Sequence, residues 1–248
     1  MEEKKLKIGY TFAFHYSNNI RPKGKEITSP SIKSFYDNIN YNFNTYVIDN
    51  QSNPKSSFSE VFDLSTENLT YTYIENQHKK GLTGAWDLGI RQAIKDGCDI
   101  IILSGDDIIF NTTINDLINH IKTDPENDNS IYGPLASGIT NKIQLSNKPT
   151  NQITPIAGFK LDQYLGGHLY AFTKEFYHKY KKSSGELFII NHPHNGGDGK
   201  WGGQEGNVMC WAEQGAKCIV VGTCHVHHQD EIRQSWKRTT DYINKFKK

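Results

Sequence analysis

The sequence predicts an α/β fold, a mostly parallel central sheet flanked by helices in a single domain, and three observations carry that expectation. The run Ile100, Ile101, Ile102 and Leu103 is short, apolar and rich in β-branched residues, the pattern of a strand buried on both faces. Strand signals alternate with amphipathic helical ones through the first half of the chain, the βαβ rhythm that sets strands side by side in parallel. At 248 residues the chain can bury one sizeable core, and it shows neither an internal repeat nor a composition break that would mark a linker.

Leu6 to Phe14 mixes β-branched and aromatic residues and is expected to form the first strand, ending at His15, Tyr16 and Ser17. The loop from Arg21 to Lys25 is expected to be mobile. Ser31 is placed to cap a helix whose apolar residues Ile32, Phe35, Tyr36 and Ile39 follow i, i+3, i+4, i+7 spacing. Thr45 to Ile48 reads as the second strand, closed by Asp49, Asn50 and Ser52. Asn53 to Asn68 is polar and irregular, and Leu69 to Ile74 alternates as a third strand. Thr83 should cap a helix with Trp86, Ile90, Ala93 and Ile94 inward, closed after Lys95 by Gly97. The strand after Asp99 comes next, then a helix capped by Asn111 that carries Ile114, Leu117, Ile118 and Ile121 and stops before Pro125.

Beyond Pro125 the patterning weakens. Ile131 to Pro134 is a brief strand, Leu165 to Phe172 another, and Lys174 to Lys181 an aromatic helix. Asn191 to Gly203, NHPHNGGDGKWGG, has the composition of a loop or lid. Gln204 to Gln214 should be helical up to Gly215. Lys217 to Val221 is a last strand leading into GTCHVHH, and the tail from Glu231 carries Ile232, Trp236, Ile243 and Phe246 at helical spacing.

Lys and Arg total 28 against 27 Asp and Glu, so no global charge draws the chain to nucleic acid. Cys98, Cys210, Cys218 and Cys224 are unevenly spaced with no CxxC pair, which indicates neither a disulfide framework nor a cysteine zinc site. A reducing compartment fits that usage. No apolar run reaches signal-peptide or membrane-spanning length, so a soluble, cytoplasmic chain without a transmembrane segment is expected.

Asp106 and Asp107 follow the Ile100 strand directly, after a turn at Gly105. Ligands of open α/β sheets bind outside the carboxyl ends of the strands, so this acidic pair faces an expected site. A hard divalent cation held by oxygen ligands is the sharper reading; an Asp-rich turn capping the next helix is the plainer one.

Four features then stand in order: the strand ending in Asp49, the glycine-punctuated helix start of Asn76 to Gly89, the Asp106 and Asp107 pair, and Glu205 followed by histidines. This order resembles the GT-A glycosyltransferases, particularly the inverting family 2. YVIDNQS resembles that family's strand ending in Asp-Asn-x-Ser. NQHKKGLTGAWDLGIRQAI resembles its glycine-punctuated Asn-x-Gly segment, and IILSGDDIIF its metal-binding acidic motif. The resemblance runs roughly from Lys7 to His228, with a weak middle. It implies a GT-A, Rossmann-like fold with a nucleotide-binding half at about 1–125, an acceptor and catalytic half at about 126–230 and a C-terminal helix at 231–248. It also implies a nucleotide-diphosphate sugar donor, UDP-linked, a divalent metal, Mn2+ or Mg2+, and one in-line displacement with inversion onto a hydroxyl of a glycan, glycolipid or protein-linked acceptor.

By that resemblance Asp49 bonds the nucleotide base, a uracil imide being an apt donor to a carboxylate; its plainer role is a turn carboxylate bonding its own backbone. Asp106, Gly81 and Ala13 complete the nucleotide-binding set, with Asp106 holding the ribose or supporting its neighbour. Asp107 binds the metal. A late histidine is the other metal ligand: His227 fits that slot best, with His225 second, and in a continuing strand these two share one face while His228 takes the other. Glu205 is the candidate general base that takes the acceptor hydroxyl's proton, or else a favourable charge at a helix start. Trp201 and Gly203 belong to the acceptor side. Gly81, Gly84 and Gly89 sit in the helical entry, where close packing is the plainer use of the last two. The chain departs from the family at Gly105, where many relatives carry another acid, at Asp87, where Asn is common, and at Gln204 and Asn207.

Three other readings stay beside this one. A sugar-phosphate nucleotidyltransferase would open with a Gly-rich basic phosphate loop, which AFHYSNN lacks. A catalytically silent carbohydrate- or nucleotide-binding module fits the departures at Gly105, Gln204 and Asn207. A zinc protein could be built on Cys224, His225, His227 and His228. The basic tail residues Arg233, Lys237, Arg238, Lys245, Lys247 and Lys248 suit either a helix on its own domain or peripheral contact with an anionic membrane surface.

Overall fold

In the computed structural model, which describes residues 5–15, 24–52, 71–76, 81–137, 165–188 and 203–229, the first strand, β1 (Ile8–Phe14), is buried at every position. It pairs in parallel with β2 (Phe43–Asp49) on one side and with β4 (Ile100–Ser104) on the other. β2 pairs in parallel with the edge strand β3 (Tyr71–Glu75). Past β4 the sheet becomes mixed. β7 (Leu169–Thr173) joins it antiparallel, β6 (Ser130–Ser137) is antiparallel to β7 and parallel to β8 (Lys217–His228), and β5 (Ile108–Phe110) closes the row antiparallel to β8. The order is β3-β2-β1-β4-β7-β6-β8-β5, a mostly parallel sheet as the sequence led us to expect.

The continuous apolar runs of β1 and β4 follow from burial on both faces. Tyr10, Phe12 and Phe14 point into a cluster with Phe35 of α1 (Gly24–Asp37) and with Leu117 and Ile118 of α3 (Asn115–Thr123). Ala13, Tyr46, Ile101 and Leu103 point the other way. There they meet Trp86 and Ile90 of α2 (Gly81–Lys95), Phe176 of α4 (Lys174–Tyr180) and Trp211 of α5 (Gly203–Glu213). Helix α2 lies so close on β1 that a Cβ at Gly89 would stand 2.2 Å from Thr11 Cγ2, so the glycine is a packing requirement.

Several elements differ from the sequence expectation for identifiable reasons. Helix α1 begins at Gly24, inside the stretch expected to be a mobile loop, so Ser31 lies mid-helix and not at its cap. Its hydroxyl donates to the Ile108 carbonyl at 2.7 Å and lies 3.2 Å from the Ile108 N–H. Ser34 Oγ accepts the Phe110 N–H at 3.0 Å, and Asn38 Nδ2 donates to the Phe110 carbonyl at 3.0 Å. Polar side chains of α1 and of Asn38, just past its end, thus serve the outer backbone of β5, a bonding pattern that local spacing does not reveal.

Helix α2 starts two residues before Thr83, at Gly81, whose φ of 65° suits glycine. Asn111 does not cap α3. Its N–H goes to the His225 carbonyl at 3.0 Å, and Thr113 Oγ1 accepts the Asn115 N–H at 3.2 Å. β7 begins only at Leu169, and β8 runs on past Val221 to His228. Between Pro134↔Val221 and Leu135↔His225 the register slips, so Gly222, Thr223 and Cys224 bulge out of the β6 ladder before pairing resumes. The irregular stretch expected at 53–68, the lid expected at 191–203 up to residue 202, and the tail from 231 lie outside the described residues; Gly203, the lid's last residue, opens α5.

Candidate active site

The carboxyl ends of β1 to β4 carry a linked polar cluster. Asp49, the last residue of β2, is buried; its Oδ1 accepts the Ser52 N–H at 2.8 Å and its Oδ2 the Tyr73 hydroxyl at 2.9 Å. The turn-carboxylate role is therefore present, with a second bond to the neighbouring strand. Beside it, His15 Nδ1 lies 2.9 Å from the Asn50 carbonyl, and Asn76 Nδ2 donates to Asn50 Oδ1 at 2.9 Å. The His15 backbone N–H reaches Asp106 Oδ2 at 3.4 Å, and the Thr28 hydroxyl of α1 reaches the same oxygen at 3.3 Å. Asp106 is thus tied to both β1 and α1.

Asp107 and His228 are both buried, and Asp107 Oδ1 stands 3.7 Å from His228 Nε2. That separation is too long for a hydrogen bond. It falls within the limit of about 4.2 Å for two donors sharing an ion at about 2.1 Å each. β8 brings the imidazole there: Ile108 pairs with His228, and the Gln229 N–H continues the ladder onto the Asp107 carbonyl at 2.9 Å. A Cβ at residue 105 would lie 3.0 Å from Asp107 Oδ1, so Gly105 leaves room for this carboxylate where an acid would crowd it. His168 precedes β7, in register beside the end of β4, and its ring packs edge-on against His228 with centroids 4.9 Å apart.

Among the described residues no group of three or more His, Cys, Asp or Glu side chains gathers to hold a metal. Asp107 and His228 are a mixed oxygen and imidazole pair whose spacing fits a divalent cation.

His227, the histidine expected to meet Asp107, lies instead across from Ile109, with Nδ1 3.3 Å from Ser137 Oγ. The alternation foreseen along the strand is kept; the face turned toward Asp107 is the one that carries His228. His225 is exposed. Cys224 is buried in the core with Val221 and Val226, where burial pushes its thiol up to about 12. Ala13 is 2% exposed with its methyl in the core, and Gly81 sits at the start of α2. Glu205 and Gly203 lie in the first turn of α5, where side chains are not among the described ones, and Trp201 falls outside the described residues. Asn207 is fully buried.

The sequence reading gives no role to His15 or Tyr73, and places Gly166, Gly167 and His168 only by resemblance, at the acceptor pocket. The signals available were weak: His15 and Asn76 each follow a strand end, and His168 follows a glycine pair.

A family model described as glycosyl transferase family 2 matches residues 25–181, more than half of the chain. Among solved structures the chain is similar to GalNAc-T7, crystallised with UDP, GalNAc and Mn2+, at 17% identity and a TM-score of 0.63, over 92% of this chain and 44% of that one. It is also similar to residues 1–349 of S. aureus TarS, at 10% identity and a TM-score of 0.56, over 90% of this chain and 60% of that one. The chain therefore spans less than two thirds of either neighbour. No curated protein matches it in sequence. At these identities the structural likeness speaks for the fold, which is GT-A, and together with the family match it leads to one conclusion: this chain belongs to glycosyl transferase family 2.

Proposed function

We propose that the chain transfers a sugar from a UDP-linked donor to an acceptor hydroxyl with inversion, and that Asp107 and His228 hold a divalent cation, Mn2+ or Mg2+. The observation that carries the reading is the buried Asp107 and His228 pair at the carboxyl edge of the sheet, beside Asp106 and Asp49. GalNAc-T7 was solved with UDP and Mn2+, which is the chemistry proposed here. A bound cation would supply electrostatic neutralisation of the departing diphosphate.

The chain's own residues do the rest. Asp49 accepts the imide N–H of the base. Asp106, steadied by Thr28 and His15, holds the ribose, with Gly81 and Ala13 shaping the floor beneath the nucleotide. His227, first expected as the metal ligand, yields that role to His228. Glu205 takes the proton of the attacking hydroxyl, opposite the leaving group. Trp201 and Gly203 receive the acceptor, a glycan, glycolipid or protein-linked hydroxyl. Among the described residues no helix is long and apolar enough to cross a membrane.

The test is a thermal-shift panel of nucleotide sugars with and without Mn2+, followed by turnover of whichever donor binds. One UDP-sugar should raise the melting temperature only when the metal is present. Glu205→Gln should keep that shift while losing transfer to an acceptor. A panel in which no nucleotide sugar stabilises the protein overturns the reading. UDP binding with no transfer from any donor, unaffected by Glu205→Gln, would instead leave a silent binding module.

A further inference from the structure

We propose that Tyr73 is a positioning residue for the nucleobase: its hydroxyl fixes the Asp49 carboxylate in the orientation that accepts the imide of uracil. The inference rests on the UDP reading above. It starts from how Asp49 is held. One donor reaches each carboxylate oxygen, the Ser52 N–H on Oδ1 at 2.8 Å and the Tyr73 hydroxyl on Oδ2 at 2.9 Å. A carboxylate offers about four lone-pair sites, so both oxygens keep capacity to accept. Two donors from different directions stop the group from turning about its last torsion, which is broad and soft when unconstrained.

The second donor comes from a neighbouring strand. Tyr73 pairs with Val47, two residues before Asp49, and its side chain leans along the strand direction to reach the carboxylate at the strand's end. The residue is 36% exposed, while its hydroxyl is anchored on Asp49. Burial of the phenol, together with the hydrogen bond and charge of Asp49, pushes its ionisation well above the ordinary tyrosine value. The hydroxyl therefore remains a donor throughout the working pH range, and Asp49 remains the acceptor. Preorganisation of this kind favours one ligand pattern: a base edge that presents N–H to the carboxylate. Uracil does so at its imide. Cytosine presents a lone pair at the equivalent ring nitrogen, which the fixed carboxylate repels.

The experiment is calorimetric titration of UDP and of CDP, each with Mn2+, into the wild-type chain and into Tyr73→Phe, Tyr71→Phe and Asp49→Ala. The wild type should prefer UDP. Tyr73→Phe should weaken UDP about tenfold and CDP hardly at all, a loss of the size expected for one charge-assisted hydrogen bond. Tyr71→Phe, one pleat away on the same strand, should leave both affinities unchanged. Because the readout is a ratio between two nucleotides on the same protein, a general loss of stability cancels. If Asp49→Ala abolishes the preference while Tyr73→Phe keeps it, this inference is overturned and the UDP reading stands. Equal weakening of both nucleotides by Tyr73→Phe also overturns it, assigning the tyrosine a purely structural role. A wild type without any preference overturns the base-reading role of Asp49 and this inference with it.

Discussion

The Asp87 carboxylate, on α2, accepts the backbone N–H of Leu187 at 2.8 Å across 100 residues of chain, and that of Phe188 at 3.3 Å. The group is almost wholly buried, and its Oδ2 has no hydrogen-bond partner among the described residues. Burial, reinforced by Glu186, pushes its pKa up to about 7 against the pull of the two N–H groups and Arg91; Tyr177 also faces it.

A pH dependence follows from that shift. Between the unfolded value of 3.8 and about 7 the folded state keeps a proton that the unfolded state has released, so stability falls as pH rises through this window and levels off above it. Asp87→Asn keeps an oxygen for the two N–H donors and never ionises. It should raise the melting temperature at pH 8, through a gain in stability on the order of 4 kcal/mol for a shift from 3.8 to about 7, and make the least difference near pH 4.5. Melts of both proteins across that range check this; a gap that does not vary with pH would refute it.

Gly89→Ala should destabilise the chain by about 1–3 kcal/mol, since the new methyl meets Thr11 Cγ2 with no space to occupy. Thr11→Ala in the same chain should recover part of the loss. Denaturant midpoints of the two single variants and the double variant measure the coupling, and strict additivity would mean that the contact is not the cause.

Ser31→Ala removes the hydroxyl that serves both backbone groups of Ile108. A loss of about 1–3 kcal/mol is expected from stranding buried polar groups. Urea unfolding should show a lower midpoint with an unchanged slope.

The two histidines at the end of β8 make a direct comparison. With UDP present, His228→Ala should weaken Mn2+ binding by at least about tenfold, while His227→Ala should change it less than about twofold. Metal titration followed by thermal shift reads both. The reverse ranking would return the ligand role to His227.

Much of the architecture was legible because it is local. The apolar run at Ile100 to Leu103, the helical spacing ending at Gly97 and the residues from Lys174 onward each declare their element through periodicity. The site was legible only where one segment carried it, as with Asp106 and Asp107. What escaped was set by distant chain. Ser31 looked like a cap because its partner, Ile108, is 77 residues away. The sequence points to His227 as the histidine that faces Asp107, with His225 second; that His228 lies there instead depends on pairing with β5 beyond a slipped register. Tyr73 carries no motif at all; its meaning lies in the neighbouring strand.

The polar row on α1 has a consequence for how copies of the chain meet in solution. β5 is a terminal strand, and its outward N–H and C=O groups, those of Ile108 and Phe110, are bonded by Ser31, Ser34 and Asn38. A terminal strand ordinarily invites a foreign strand to add itself, the first step toward aggregation. Here that invitation is withdrawn by α1 and the residue after it, whose polar side chains occupy the bonding groups a second strand would need.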